Sequence, residues 1–193
     1  LMPRPETEEL VEWIIESQKS KVKSQKFDIL DIGTGTGCIP ISLKANLPQA
    51  NVSAIDVSEK ALEVAKRNAA SNKLEINFIL TNTLEAKDLN QYFDVIVSNP
   101  PYVRNLEKQE IKKNVLDYEP HLALFVEDTD ALLFYRKIAQ LALKNLSPNG
   151  LLFFEINQYL GKETVELLEN LGFKNIELKK DIYGNDRMIK CSI

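Results

Sequence analysis

Between residues 27 and 156, short apolar runs of strand length alternate with stretches of helical period, an order few folds can accommodate. The runs are FDILDIG (27–33), NVSAIDVS (51–58), INFIL (76–80), FDVIVSN (93–99) and GLLFFEI (150–156). FDVIVSN is apolar at consecutive positions, the mark of a strand covered on both faces. Helical spacing occupies 6–17, 36–47, 59–72, 130–146 and 161–172, with SPNG ending the fourth stretch and Gly172 closing the fifth. Ser58 is a good N-cap for the third, and Pro40 fits the second only in its first turn or as a kink. This alternation predicts an α/β fold with a doubly wound, mostly parallel sheet. Two closing runs, 174–181 and 187–193, have no helix between them and predict an antiparallel terminal strand.

The first strand runs into LDIGTGTGCI (30–39), where Gly33, Gly35 and Gly37 permit positive φ and close approach of a ligand. A tight strand-to-helix turn explains one or two such glycines, and three in five residues exceed its needs. Ligands in open α/β sheets bind at the carboxyl ends of strands, and amides at the following helix N-terminus face that place. Asp56, at the end of the second strand, can accept from both hydroxyls of a ribose. Its other possible role, capping the next helix, is better filled by Ser58. With Gly33 and Gly35 fixed, the third position of a dinucleotide fingerprint falls on Cys38. Asp31, two residues before the first glycine, suits a ligand with an ammonium group, as S-adenosylmethionine has, better than a pyrophosphate.

The strand 93–99 stops at SNPPYV (98–103). Pro100 and Pro101 cannot donate to a ladder and hold the chain extended. The Asn99 side-chain oxygen and the Pro100 carbonyl can then accept two hydrogen bonds from one NH₂ group, with Tyr102 stacked on the planar group that bears it. An amide or aryl-amine nitrogen is a poor nucleophile because its lone pair is delocalised. Two aligned acceptors favour pyramidalisation and stabilise the positive charge that develops on nitrogen during attack on a methyl group.

D-x-G-x-G-x-G followed by N-P-P-Y resembles the class I S-adenosylmethionine-dependent methyltransferases that act on planar nitrogens. The segments MPRPETEELVE, NPPYV, YEPHLAL (118–124), LLFFEI and YGNDRMI are similar to the HemK/PrmC family, the glutamine-N5 methyltransferases of peptide chain release factors. The resemblance runs from residue 2 to 193 and implies a seven-stranded Rossmann-like sheet. It implies that Gly33, Thr34, Gly35, Thr36 and Gly37 bind the donor and that Asp56 holds its ribose. Asn99, Pro100, Pro101 and Tyr102 would grip the glutamine amide, Asn99 also touching the donor, at the Gly-Gly-Gln tip of a release factor. Family members commonly carry an acid after the third strand, near the adenine. Here Asn82 and Thr83 stand there, and Asn82 can still accept from an adenine amino group. The family's small N-terminal helical domain is absent from 1–193, so a single catalytic domain with weak partner affinity is expected.

Rivals within the same chemistry are a ribosomal-protein glutamine and an adenine N6 in DNA or RNA. From other classes come a nicotinamide-dependent oxidoreductase and a non-catalytic donor-binding module. A net charge of −4 and the lack of length for a base-flipping recognition domain argue against direct nucleic-acid binding. No apolar run approaches a membrane span, and Cys38 and Cys191 have no metal spacing, so no metal, no membrane and a cytoplasmic setting are expected. His121 reads as a loop residue, Glu119 as an ordering or solvated carboxylate, and 107–113 as a solvated helix face. Arg4 and Glu6 suggest a lid over the cofactor, and Glu155 is either structural or substrate-facing.

Overall fold

A computed structural model describes residues 4–18, 26–101, 103–104, 125–126 and 130–193. Helices α1 (Pro5–Gln18), α2 (Cys38–Asn46) and α3 (Glu59–Ser71) alternate with strands β1 (Asp28–Ile32), β2 (Asn51–Asp56) and β3 (Asn77–Leu80). Strand β4 (Phe93–Ser98) and the short pair β5 (Val103–Arg104) and β6 (Phe125–Val126) follow. The chain continues through α4 (Leu133–Asn145), β7 (Leu146–Glu155), α5 (Gly161–Leu171), β8 (Lys174–Lys180) and β9 (Asp186–Ser192). Seven strands form one sheet in the order β3-β2-β1-β4-β7-β9-β8. Pairing is parallel from β3 to β7, and β9 runs antiparallel to both β7 and β8. The predicted doubly wound sheet is thus present. The last strand in the chain lies inside the sheet, between β7 and β8.

Two apolar layers cover the sheet. On one face α1 and α2 supply Leu10, Trp13, Ile14, Ile39 and Leu43 against Ile29, Val95, Val97 and Phe153. On the other, Tyr135, Ile138 and Ala142 of α4 and Leu168 of α5 pack on Leu30, Ile32, Ile96 and Phe154. Successive side chains of a strand point to opposite faces, so Phe153 and Phe154 each reach a different layer. Phe153 meets Trp13 edge-on at 5.6 Å, and Phe154 meets Tyr135 edge-on at 5.3 Å. The Lys179 and Lys190 ammonium groups lie 5.3 and 5.2 Å from the Trp13 ring. These contacts fasten α1 to the sheet.

Pro40 is the third residue of α2, where its missing N–H has no intrahelical partner to lose. Ser58 caps α3, its hydroxyl accepting from the Ala61 amide. SPNG differs from its expected role as a helix-ending turn. Helix α4 passes directly into β7, which includes these residues. Phe93 pairs with Leu146 and Val95 with Leu151, so the extra residues bulge out of the ladder. Pro148 is tolerated there because a bulged residue owes the ladder no N–H.

Replacing Phe153 by Ala is expected to cost about 3–5 kcal/mol, the range for a buried aromatic. Urea unfolding followed through Trp13, the only tryptophan, measures it; a loss below about 1 kcal/mol would show that this contact does not anchor α1.

Candidate active site

Parallel register brings the strand ends to one level. Ile32 of β1 pairs with Ile55 of β2 and with Ser98 of β4, and Ser98 pairs with Phe154 of β7. The Ser98 hydroxyl donates to the Ile32 carbonyl at 2.6 Å and ties the β1 and β4 tips together. Between β1 and β4 the sheet order changes direction, the place where crevices open in doubly wound sheets.

The glycine loop leaves β1 with positive φ at Gly33, Gly35 and Gly37. The Gly33 and Thr34 amides both donate to the Ile55 carbonyl, at 2.9 and 3.1 Å. Gly35 N–H donates to Asp56 Oδ2 at 2.8 Å, and Gly37 N–H to the Thr34 carbonyl. These four amides are spent within the protein, which disfavours an anionic ligand over the loop. A Cβ on Gly33 would meet nothing within 4 Å, so the loop faces open space there. A Cβ on Gly37 would come within 3.0 Å of the Ala65 Cβ, so this third glycine serves close packing of α2 on α3.

Beneath the loop both Asp31 carboxyl oxygens and the Thr34 hydroxyl are buried without a hydrogen-bond partner. Burial pushes the Asp31 carboxyl up to about 7. The nearby Thr34 hydroxyl draws it down, although the two do not complete a hydrogen bond of good geometry, and the Asp56 charge pushes it up again. An orphaned carboxyl at a loop short of free amides fits a cationic ligand such as the amino-acid end of S-adenosylmethionine.

Asp56 also accepts from its own turn, Ser58 N–H to Oδ1 at 2.8 Å. A carboxylate has about four lone-pair sites, so acceptor capacity remains for ribose hydroxyls. The Thr81 amide donates to the Asp56 carbonyl and brings Asn82 and Thr83 to the same edge. Asn82 Oδ1 accepts from the Leu84 amide, and Thr83 is buried. Val57 and Leu84 leave apolar surface exposed beside these polar groups. Neither was singled out from the sequence; an apolar residue following a strand's terminal acid was the available signal.

Asn99 follows β4 on the face covered by α1. One step beyond the Ser98–Phe154 pair, it stands beside Glu155. Its Nδ2 donates to Thr7 Oγ1 at 3.4 Å, and Thr7 Oγ1 donates to Glu155 Oε2 at 2.7 Å. Thr7 lies in the first turn of α1, within the PRPETE segment, and sequence reasoning passed over it. Pro100 is buried and Pro101 half-buried. Arg4 lines a groove of about 680 Å³ together with Thr7, Thr36 and Cys38, beside the glycine loop. Tyr102, Glu119, His121 and 107–113 lie outside the described residues. Among the described residues no cluster of His, Cys, Asp and Glu could hold a metal ion. The structure therefore gathers Asp31, Gly33, Thr34, Gly35, Asp56, Asn82, Thr83 and Asn99 at one sheet edge, while Gly37 turns toward α3.

Residues 13–121 match the family model described as methyltransferase small domain. Over its whole length the chain is 70% identical to a release factor glutamine methyltransferase of Flavobacterium psychrophilum and covers 67% of it. It is 45% identical over its whole length to a release factor glutamine methyltransferase of Bacteroides thetaiotaomicron and covers 68% of that protein. The chain therefore spans about two thirds of these relatives. Among solved structures, the hMettl16 catalytic domain in complex with MAT2A 3'UTR hairpin 6 shares the fold, with a TM-score of 0.73 and 20% identity. That alignment covers 100% of this chain and 72% of the other.

The Asp31 carboxyl titrates near 3.8 when unfolded and near 7 when folded, so the native state holds this proton more tightly. Its contribution to stability is greatest below about pH 3.8 and is lost as the pH rises to about 7. Asp31→Asn is expected to stabilise the ligand-free protein by a few kcal/mol at pH 8, on the order of the raised carboxyl's linkage energy, with the gain fading toward pH 4. Denaturant titrations of both proteins across that range measure this; parallel curves would exclude the shifted carboxyl.

Proposed function

The chain belongs to the release factor glutamine methyltransferase family, and from that premise we propose that it transfers a methyl group from S-adenosylmethionine to the side-chain nitrogen N5 of a release-factor glutamine. The likeness of the whole of this chain to two thirds of enzymes of that name supports the reading; the site supplies the chemistry. The substrate residue is the glutamine of a Gly-Gly-Gln tip, and the enzyme works in the cytoplasm, where release factors act. No helix among the described residues is long and apolar enough to cross a membrane. Methylation of a nucleic-acid adenine N6 would use the same side chains, and the identity to glutamine enzymes favours the amide.

Gly33, Thr34, Gly35 and Thr36 line the donor site, and Gly37 holds the loop's exit against α3. Asp31 answers the donor's ammonium charge from beneath the loop. Asp56 takes the ribose hydroxyls with the lone pairs that Gly35 and Ser58 leave over. Asn82 and Thr83 face the adenine, with Val57 and Leu84 as apolar surface beside it. When bound, S-adenosylmethionine supplies an electrophilic methyl group on a positively charged sulfur.

Asn99 Oδ1 and the Pro100 carbonyl accept the two N–H bonds of the glutamine carboxamide, turning its nitrogen toward the crevice. Pro100 and Pro101 keep those two acceptors in fixed relation. In this reading Tyr102 is the aromatic residue that would stack on the flat face of the carboxamide. As attack proceeds the nitrogen becomes positive, and the two oxygens stabilise that charge without rearranging. An N-protonated amide is strongly acidic, so the departing proton requires no strong base.

Calorimetry is expected to show binding of S-adenosylhomocysteine and none of NADH; the reverse would overturn the cofactor. Asn99→Ala is expected to abolish methyl transfer with a modest loss of S-adenosylhomocysteine affinity, and wild-type turnover in that variant would remove Asn99 from the chemistry. Radiolabelled donor offered to release factor, ribosomal protein and DNA together is expected to label release factor, and label mainly in DNA would reject the substrate.

A further inference from the structure

We infer that Thr7 is a positioning residue that sets which way the Asn99 carboxamide faces, with Glu155 setting the direction of the Thr7 hydroxyl. The inference rests on the proposed amide chemistry and goes beyond it, to a helix that makes no part of the Asn-Pro-Pro-Tyr segment. The argument is one of hydrogen-bond polarity. Thr7 has a single O–H, and it donates this to Glu155 Oε2, 2.7 Å away. What Thr7 has left is lone pairs, and those can only accept. Asn99 therefore presents its NH₂ to Thr7, at 3.4 Å, and its Oδ1 is turned the other way.

This orientation matters because the two ends of a carboxamide are nearly the same shape and opposite in hydrogen bonding. With Oδ1 toward the substrate, Asn99 accepts from the glutamine NH₂. Flipped, it would present N–H groups to N–H groups and repel the substrate nitrogen it must hold. The three-residue chain Asn99–Thr7–Glu155 distinguishes the two states, because the Thr7 hydroxyl has already spent its O–H on Glu155. Glu155 is almost fully buried, and sheet register sets it beside Asn99 on the same face, so the acceptor is in place whenever α1 is docked. The long Asn99–Thr7 distance is of the kind that tightens when a substrate completes the site.

A latch that merely held α1 down would act on stability and on donor binding. An orienting hydroxyl acts on turnover. Thr7→Val keeps the shape and removes both hydrogen bonds; it is expected to lower kcat about 10- to 100-fold, the cost of a misplaced reacting group. KM for release factor and affinity for S-adenosylhomocysteine are expected to stay close to wild type, while Tm falls modestly because the buried Glu155 loses a donor. Thr7→Ser restores the hydroxyl and is expected to recover most of the rate. Glu155→Gln, whose carboxamide can donate or accept, is expected to fall between them in kcat.

A substrate-free measurement accompanies the kinetics. The Asn99 side-chain NH₂ signals, assigned in ¹⁵N spectra by their loss in Asn99→Ala, are expected to move in Thr7→Val and to return in Thr7→Ser. Undiminished kcat in Thr7→Val, or NH₂ signals that do not move, would overturn the orienting role. Wild-type protein that leaves release factor unlabelled would refute the proposed substrate instead, and the NH₂ signals would still decide the part played by Thr7.

Discussion

Parallel pairing makes four strands finish together, and Gly33, Asp56, Asn99 and Glu155 hang from that common edge. A β-strand ends wherever its chain stops pairing, so level ends require registers that agree across the sheet. Here Ile55, Ile32, Ser98 and Phe154 occupy one row. The next residues along each strand are therefore neighbours without being close in sequence: Asp56, Gly33, Asn99 and Glu155. A single-residue slip of β4 would send Asn99 to the opposite face, away from α1. The Ser98 hydroxyl on the Ile32 carbonyl resists such a slip at the very place where it would matter.

Much of the architecture was legible from periodicity, because buried parallel strands and amphipathic helices leave strong patterns over many residues. The antiparallel closing pair was legible for the same reason. Bulged pairing was not: proline and glycine at 148 and 150 speak locally of a turn, while the stretch is held extended by its partner β4. In the site, glycines and acids could be placed at strand ends, yet their division of labour could not. Gly33 and Gly37 look alike in sequence, and only the proximity of Ala65 gives the latter its packing duty. Thr7 was illegible as a neighbour of Asn99, since 92 positions separate them. It sits in a helix whose visible message was an apolar stripe with an acidic start.

The electrostatics of the cradle follow from what the loop amides have already done. A phosphate-binding loop keeps its N–H groups free and aimed outward. In this loop Gly33, Thr34 and Gly35 direct theirs onto the end of β2. The same bonds that hold the loop in shape thus remove its attraction for anions, and Asp31 below offers a buried carboxyl that a cationic ligand would draw into its charged form. Selectivity for a positively charged ligand is in this sense a by-product of how the turn is braced.

The position of β9 bears on how such a chain can be assembled. It follows β8 in sequence, yet it is flanked on both sides, and Met188, Ile189 and Cys191 are completely enclosed. During synthesis from the N-terminus, β7 must wait with one margin unpaired until β9, made after β8, arrives and threads in beside it. A chain in which synthesis stalled before β9 would therefore be left unable to complete this part of its interior.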